Sequence, residues 1–127
     1  MEKDYFSQWL GVERMEEKDG YCQLKMIIRE EMCNGFGIAH GGISYSLADS
    51  ALAFASNSHG KHAVSIETSI SHIKPLKQGD TIIATAEEVS CSSRIGNYQV
   101  RVENENKELV ALFKGVVFRK DTNWNIE

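Results

Sequence analysis

The chain has 127 residues, a length that fits one ordinary domain with a real core and excludes two. With 42% hydrophobic and 25% charged residues and a single proline, it has the composition of a soluble globular protein. The net charge of −4 argues against a nucleic-acid surface, which needs clustered Lys and Arg, but leaves open a local basic site for a phosphorylated small ligand.

Residues 4–10 suggest a short helix whose Phe6, Trp9 and Leu10 dock on something larger. The next stretch, "LGVERMEEKDGYCQLKMIIRE", reads as a hairpin. Val12 and Met15 precede a turn at Lys18-Asp19-Gly20, and Cys22, Leu24, Met26 and Ile28 alternate after it. Residues 30–41, holding Asn34, Gly35, Gly37 and Gly41, form a loop. From Gly42 to about Ser58 the period becomes helical: Ile43, Leu47, Ala51 and Phe54 mark one face, and Ala48, Leu52 and Ala55 fill much of the rest. Small or apolar residues nearly all round predict a helix enclosed by protein, with Gly60 as its stop.

Four strands follow. "HAVSIETSISHI" sets Val64, Ile66 and Ile70 against Ser65, Glu67, Ser69 and Ser71; then come "DTIIATAEEVS", "NYQVRVEN" and "ELVALFKGVVF". Residues 121–127 are expected to fray. A hairpin, one buried helix and four consecutive strands make an α+β domain spanning 1–127. A single sheet buries a central helix only by curling round it, and its free edges and outer face then favour pairing with a second chain.

Several chemistries drop out. Cys22, Cys33 and Cys91 are widely spaced, with no zinc-ligand spacing and no His partner arrangement, so metal is expected to be absent and a reducing, cytoplasmic setting is the simplest reading. No run is long and apolar enough for a membrane span, and "MEKDYFSQWL" lacks a signal-peptide pattern. "GFGIAHG" is not the dinucleotide fingerprint, and neither a Walker motif nor a Gly-x-Ser-x-Gly elbow is present.

What remains is "AHGGISYSLAD". Asp49 is the only charged residue between Gly41 and Gly60. A buried carboxylate is costly and has its pKa pushed upward, which suits a general base or nucleophile; the alternative is a structural Asp bonded to a loop or partner chain. Gly41 and Gly42 stand where the helix begins, where unpaired N–H groups and a positive dipole can hold an oxyanion, or where they simply permit a tight entry. His40 either polarises a substrate carbonyl or makes a structural hydrogen bond. His59, His62 and His72 read as surface or core. Gly41 and Asp49 lie eight positions apart, about 12 Å along a helix. Both an oxyanion donor and an attacking group must come within about 3 Å of the reacting carbonyl. One chain cannot easily supply both. The spacing therefore predicts an active site shared between two subunits.

The stretch "NGFGIAHGGISYSLADSALAFASNSHG", with "LGVERMEEKDG", "KPLKQGDTIIATAEEV" and "ALFKGVVFR", resembles the hotdog-fold acyl-CoA thioesterases, most closely the phenylacetate-degradation (PaaI-type) branch. The resemblance extends over nearly the whole chain. It implies a hotdog fold, a curved antiparallel sheet wrapped round one long helix, with subunits paired as a dimer and usually a dimer of dimers. It also implies hydrolysis of acyl-CoA without metal or organic cofactor. Carried over by position, Asp49 would be the general base or nucleophile, and Gly41 N–H would polarise the carbonyl. His40 and Asn34 would complete the site, and Ser65 would hold the attacking water. Ser92, Ser93, Arg94 and Gly96 match a turn near which relatives bind the CoA nucleotide, with Arg94 as the phosphate contact; an ordinary solvated hairpin is the alternative. The PaaI-type likeness favours an aromatic acyl group, with short or medium aliphatic chains open. Two other readings stand beside this one: a non-catalytic acyl-CoA-binding module, against which the retained Asp49 and His-Gly-Gly weigh, and a hydroxyacyl-thioester dehydratase, which resembles a different His and acid arrangement.

Overall fold

The computed structural model describes residues 4–123, with side chains described through Lys120. Helix α1 (Tyr5–Leu10) is capped by Asp4, whose carboxylate accepts from the Ser7 N–H at 3.1 Å and the Ser7 hydroxyl at 2.8 Å. Of the three residues expected to dock, only Leu10 is buried. Phe6 and Trp9 remain exposed and stack on each other at 6.0 Å, with the Arg29 guanidinium 5.0 Å over the Trp9 ring.

The hairpin forms as expected from β1 (Glu13–Lys18) and β2 (Tyr21–Ile27). A 3-10 turn at Glu30–Met32 interrupts the loop that leads to α2 (Gly41–Asn57), which starts one residue earlier than its apolar period suggested. His40 sets that start, because its ring caps the helix. Strands β3 (Lys61–His72), β4 (Thr81–Cys91), β5 (Ile95–Asn104) and β6 (Leu109–Asn123) follow. Strand β6 thus continues into the segment expected to fray; residues 1–3 of the N-terminal arm and 124–127 of the tail lie outside the described residues.

All six strands join one antiparallel sheet in the order β1-β2-β4-β5-β6-β3. This is the expected hotdog architecture. Helix α2 packs against β2 through β6, burying Leu47, Ala48, Ala51, Leu52 and Ala55. At roughly 1.5–3 kcal/mol for a fully buried large apolar side chain, Leu47 and Leu52 together contribute about 3–6 kcal/mol to this helix–sheet contact. The helix lies very close to β6: a Cβ on Gly115 would stand 2.6 Å from Leu52 Cδ2, so only glycine fits there. At the far end of α2, Glu88 accepts from the buried Tyr98 hydroxyl at 3.0 Å and meets His59 Nε2 at 2.8 Å.

The sheet's two edges differ in character. β1 reads ERMEEK, exposed throughout and interrupted by a register shift between Arg14 and Glu16, features that discourage further pairing. β3, twelve residues long, carries few charges, and its Val64 and Ile66 are 44% and 58% exposed. The chain pattern had placed those two on one face with Ile70. The structure corrects this, because the register against β6 shifts between Ser65 and Glu67. Ser65 pairs with the buried Val117, whereas beyond the bulge Ile70 pairs with the buried Phe113. One extra residue at a bulge exchanges the two faces of a strand, so Ser65 and Ile70 both turn toward the helix.

Candidate active site

The first half of the site is the amino terminus of α2. Two backbone bonds hold the entering loop, from Ala39 N–H to the Leu76 carbonyl at 2.7 Å and from His40 N–H to the Met32 carbonyl at 2.8 Å. Asn34 shapes the loop from within: its Oδ1 accepts from the N–H groups of Phe36 and Ile38 at 2.9 and 3.2 Å. The Asn34 oxygen is thereby used, leaving its amide NH2 as the group that can act on a ligand.

His40 is the N-cap, and its Nδ1 accepts from Gly42 N–H at 3.0 Å. That bond places the ring proton of neutral His40 on Nε2, as a donor. It also engages the Gly42 amide, so Gly42 serves the site by capping geometry and not as a free donor. Gly41 N–H, at the first helical position, has no hydrogen-bond partner among the described residues. Gly41, His40, Ser44, His72 and Lys74 line a cavity of about 310 Å³. A free amide at the positive end of a helix dipole, beside an imidazole donor, suits a developing oxyanion.

The second half is Asp49, two turns further along. It is half-buried and makes no hydrogen bond among the described residues, and burial raises its carboxyl pKa above the ordinary value. It lines a cavity of about 280 Å³ with Leu52, Ser56, Ala63, Ser65 and Val117. The bulge in β3 is what brings Ser65 to this cavity: unbroken alternation would turn its hydroxyl to the opposite face. A basic carboxylate and a hydroxyl sharing one cavity can hold and deprotonate a water molecule.

The two halves do not meet within one chain. Asp49 and Ser65 line one cavity, Gly41 and His40 another. The remaining expected residues lie elsewhere. Ser92, Ser93 and Arg94 occupy the β4–β5 connection, where Ser92 N–H donates to the Ile95 carbonyl at 2.8 Å and Ile95 N–H donates to Ser92 Oγ at 3.0 Å. The Arg94 guanidinium lies 5.9 Å from the Phe118 ring centroid. Gly96 belongs to β5 and not to the turn. It is buried, and a Cβ there would meet Tyr98 at 3.0 Å and Val117 at 3.1 Å, so its reason is packing.

His72, read from the chain as surface or core, ends β3 against Gly41 and lines its cavity. Only its place just before Ile73-Lys74-Pro75, the segment that closes that cavity, could have drawn attention to it. Cys22 is buried with its thiol pushed up to about 11 by desolvation, which makes it a poor nucleophile. Among the described residues, no three His, Cys, Asp or Glu side chains cluster to hold a metal ion, and no helix is long and apolar enough to cross a membrane.

Residues 36–111 match the sequence profile of the thioesterase superfamily. The chain is 35% identical over 114 residues to the acyl-coenzyme A thioesterase PaaI of Escherichia coli, covering 90% of this chain and 81% of that one. The solved E. coli PaaI structure, from the phenylacetic acid degradation operon, superposes with a TM-score of 0.94 at 34% identity, over 96% of this chain and 88% of that one. A mutant of the phenylacetic acid degradation protein PaaI from Thermus thermophilus gives 0.89 at 39% identity, covering 92% and 100%. A Streptococcus mutans protein solved bound to acetyl CoA gives 0.85 at 26% identity, covering 88% and 90%.

Proposed function

The chain belongs to the thioesterase superfamily, on its PaaI-type branch, and from that premise we propose that it hydrolyses an aromatic acyl-CoA to the free acid and CoA at a site shared by two subunits. It is a thioester hydrolase. Activity on acyl-CoA is supported by the PaaI relatives and by the likeness to a protein solved with acetyl CoA. The preference for a phenylacetyl-type acyl group is supported by the likeness to two PaaI proteins of phenylacetic acid degradation.

In the proposed mechanism the thioester carbonyl oxygen accepts from Gly41 N–H and His40 Nε2–H, while the Asn34 amide completes that half of the site. Asp49 of the other subunit removes a proton from a water held by Ser65, and the water attacks the carbonyl carbon. The tetrahedral intermediate collapses with cleavage of the carbon–sulfur bond. The electron pair leaves with sulfur, and the proton held by Asp49 is available to the departing thiolate. These side chains and backbone groups perform the reaction without metal or organic cofactor. The observation that carries the reading is the half-buried Asp49 carboxylate, without a hydrogen bond among the described residues, sharing a cavity with Ser65.

Pairing of two chains through the long, lightly charged β3 edge would make the dimer, and such dimers would associate in turn. Ser92, Ser93 and Arg94 are assigned to the CoA nucleotide, with Arg94 on a phosphate. The working location is the cytoplasm, with neither nucleic acid nor membrane as partner.

The test is thiol release across phenylacetyl-CoA, its hydroxylated relatives and aliphatic acyl-CoAs. Hydrolysis led by the aromatic esters is expected, with near-complete loss in Asp49→Ala. Absence of hydrolysis, or full activity in Asp49→Ala, would overturn the mechanism. Single-turnover reaction in H2 18O separates water attack, which labels the acid product, from direct attack by Asp49, which first labels the enzyme carboxylate.

A further inference from the structure

His72 is placed to read the thiol half of the substrate. Its Nε2 lies 3.2 Å, and its Cε1 3.4 Å, from where a Cβ on Gly41 would stand. A Cβ at 41 would press on this imidazole, which rests beside the Gly41 amide. Ser44, 4% exposed, fixes the other side of the ring: its Oγ lies 3.4 Å from His72 Nδ1 and donates to the Gly41 carbonyl at 3.3 Å.

Those two contacts couple the tautomer of His72 to the direction of the Ser44 hydroxyl. A serine hydroxyl has one hydrogen, and a backbone carbonyl can only accept. With the Ser44 proton on the Gly41 carbonyl, Ser44 Oγ meets His72 Nδ1 as an acceptor and Nδ1 carries the hydrogen; with it on Nδ1, the tautomer reverses. In the first arrangement neutral His72 presents a bare lone pair on Nε2, next to Gly41. His40 is held in the opposite tautomer by Gly42 N–H, presenting a donor. With His72 in that first arrangement, the cavity around Gly41 offers two donors, Gly41 N–H and His40 Nε2–H, and one imidazole acceptor. The carbonyl of a thioester uses donors only. The acceptor calls for an N–H or O–H elsewhere on the ligand.

We propose that His72 is a specificity-determining residue whose Nε2 accepts the amide N–H two carbons beyond sulfur in a pantetheine-type thiol. This rests on the thioesterase reading above and assigns a residue to the thiol half of that substrate. In such thiols only four bonds separate the carbonyl carbon from that amide nitrogen, S–C, C–C and C–N following the scissile C–S bond. A carbonyl held at Gly41 N–H therefore keeps the amide within the same cavity. An ester of a simple alkyl thiol has no group for His72 to bind.

The test compares His72→Asn, His72→Gln and wild type on one acyl group carried by N-acetylcysteamine, which has the amide, and by ethanethiol, which lacks it. An Asn side chain puts its amide where Nδ1 stands and keeps the Ser44 contact, whereas Gln puts a carbonyl oxygen where Nε2 stands. Loss of one hydrogen bond corresponds to about a five- to ten-fold change in KM. His72→Asn is expected to raise KM for the N-acetylcysteamine ester by that factor relative to the ethyl ester, and His72→Gln is expected to recover most of it. Equal changes on both esters, or none in His72→Asn, would overturn the proposal while wild-type hydrolysis still stands. Failure of wild type on every thioester would instead overturn the thioesterase reading.

Discussion

Asp49 shows how one substitution can act oppositely on stability and on activity. Burial raises its carboxyl pKa, so folding favours the protonated form. The sign follows by linkage: the folded state binds more protons than the unfolded chain between the ordinary aspartate pKa and the raised one, so stability falls as pH rises across that interval. Asp49→Asn removes the penalty. It is expected to melt with wild type below the ordinary aspartate range and above it at neutral pH, while hydrolysis is lost; melting curves at acid and neutral pH check this. The acid limb of wild-type kcat/KM is expected above the ordinary aspartate value and should disappear with the residual activity of the Asn variant. Gly41 permits a matching separation. It is the first helical residue, where proline is tolerated, and His40 before it has the extended backbone (φ −59°, ψ 139°) that proline requires. Gly41→Pro removes the donor and adds carbon beside His72; Gly41→Ala adds the carbon alone. The Pro variant is expected to lose about 10²–10³ in kcat, the usual cost of one oxyanion donor, and the Ala variant much less, both with near-native melting temperatures.

Among the elements that build the candidate site, β3 was the least legible. The lone acid of α2 and the helical period around it could be read from the residues themselves. Strand existence and the β1–β2 hairpin followed from alternation and the Gly20 turn. The inward turn of Ser65 could not, because the bulge is set by pairing against β6, fifty residues away in the chain, and alternation alone predicts the opposite face. His72 escaped for a related reason, since its meaning lies in contact with Gly41 across the fold. The same bulge leaves Val64 and Ile66 exposed beside an unpaired edge. Ile66→Lys places a charge on that edge and is expected to shift the protein toward monomer in sedimentation or light scattering. Thioesterase activity should fall in proportion to the dimer lost, although Ile66 lines neither cavity.

For the whole molecule, the proposed mechanism makes the two cavities of one chain halves of different sites. The carbonyl-polarising half sits at the head of α2 and the water-activating half about 12 Å down its axis, a separation fixed by helix geometry. No side-chain rotation closes that gap, so the proposed mechanism calls on a second copy of the chain. The spacing of residues 41 and 49 already implied this; the sheet order adds the edge through which the copies would join. The most direct test is complementation between Gly41→Pro and Asp49→Asn, each inactive alone, after unfolding and refolding together. Half of randomly assembled dimers are mixed, and each mixed dimer keeps one intact site of two, so the account predicts recovery of about a quarter of wild-type hydrolysis. Mixed dimers that form but hydrolyse no faster than the separate variants would contradict it.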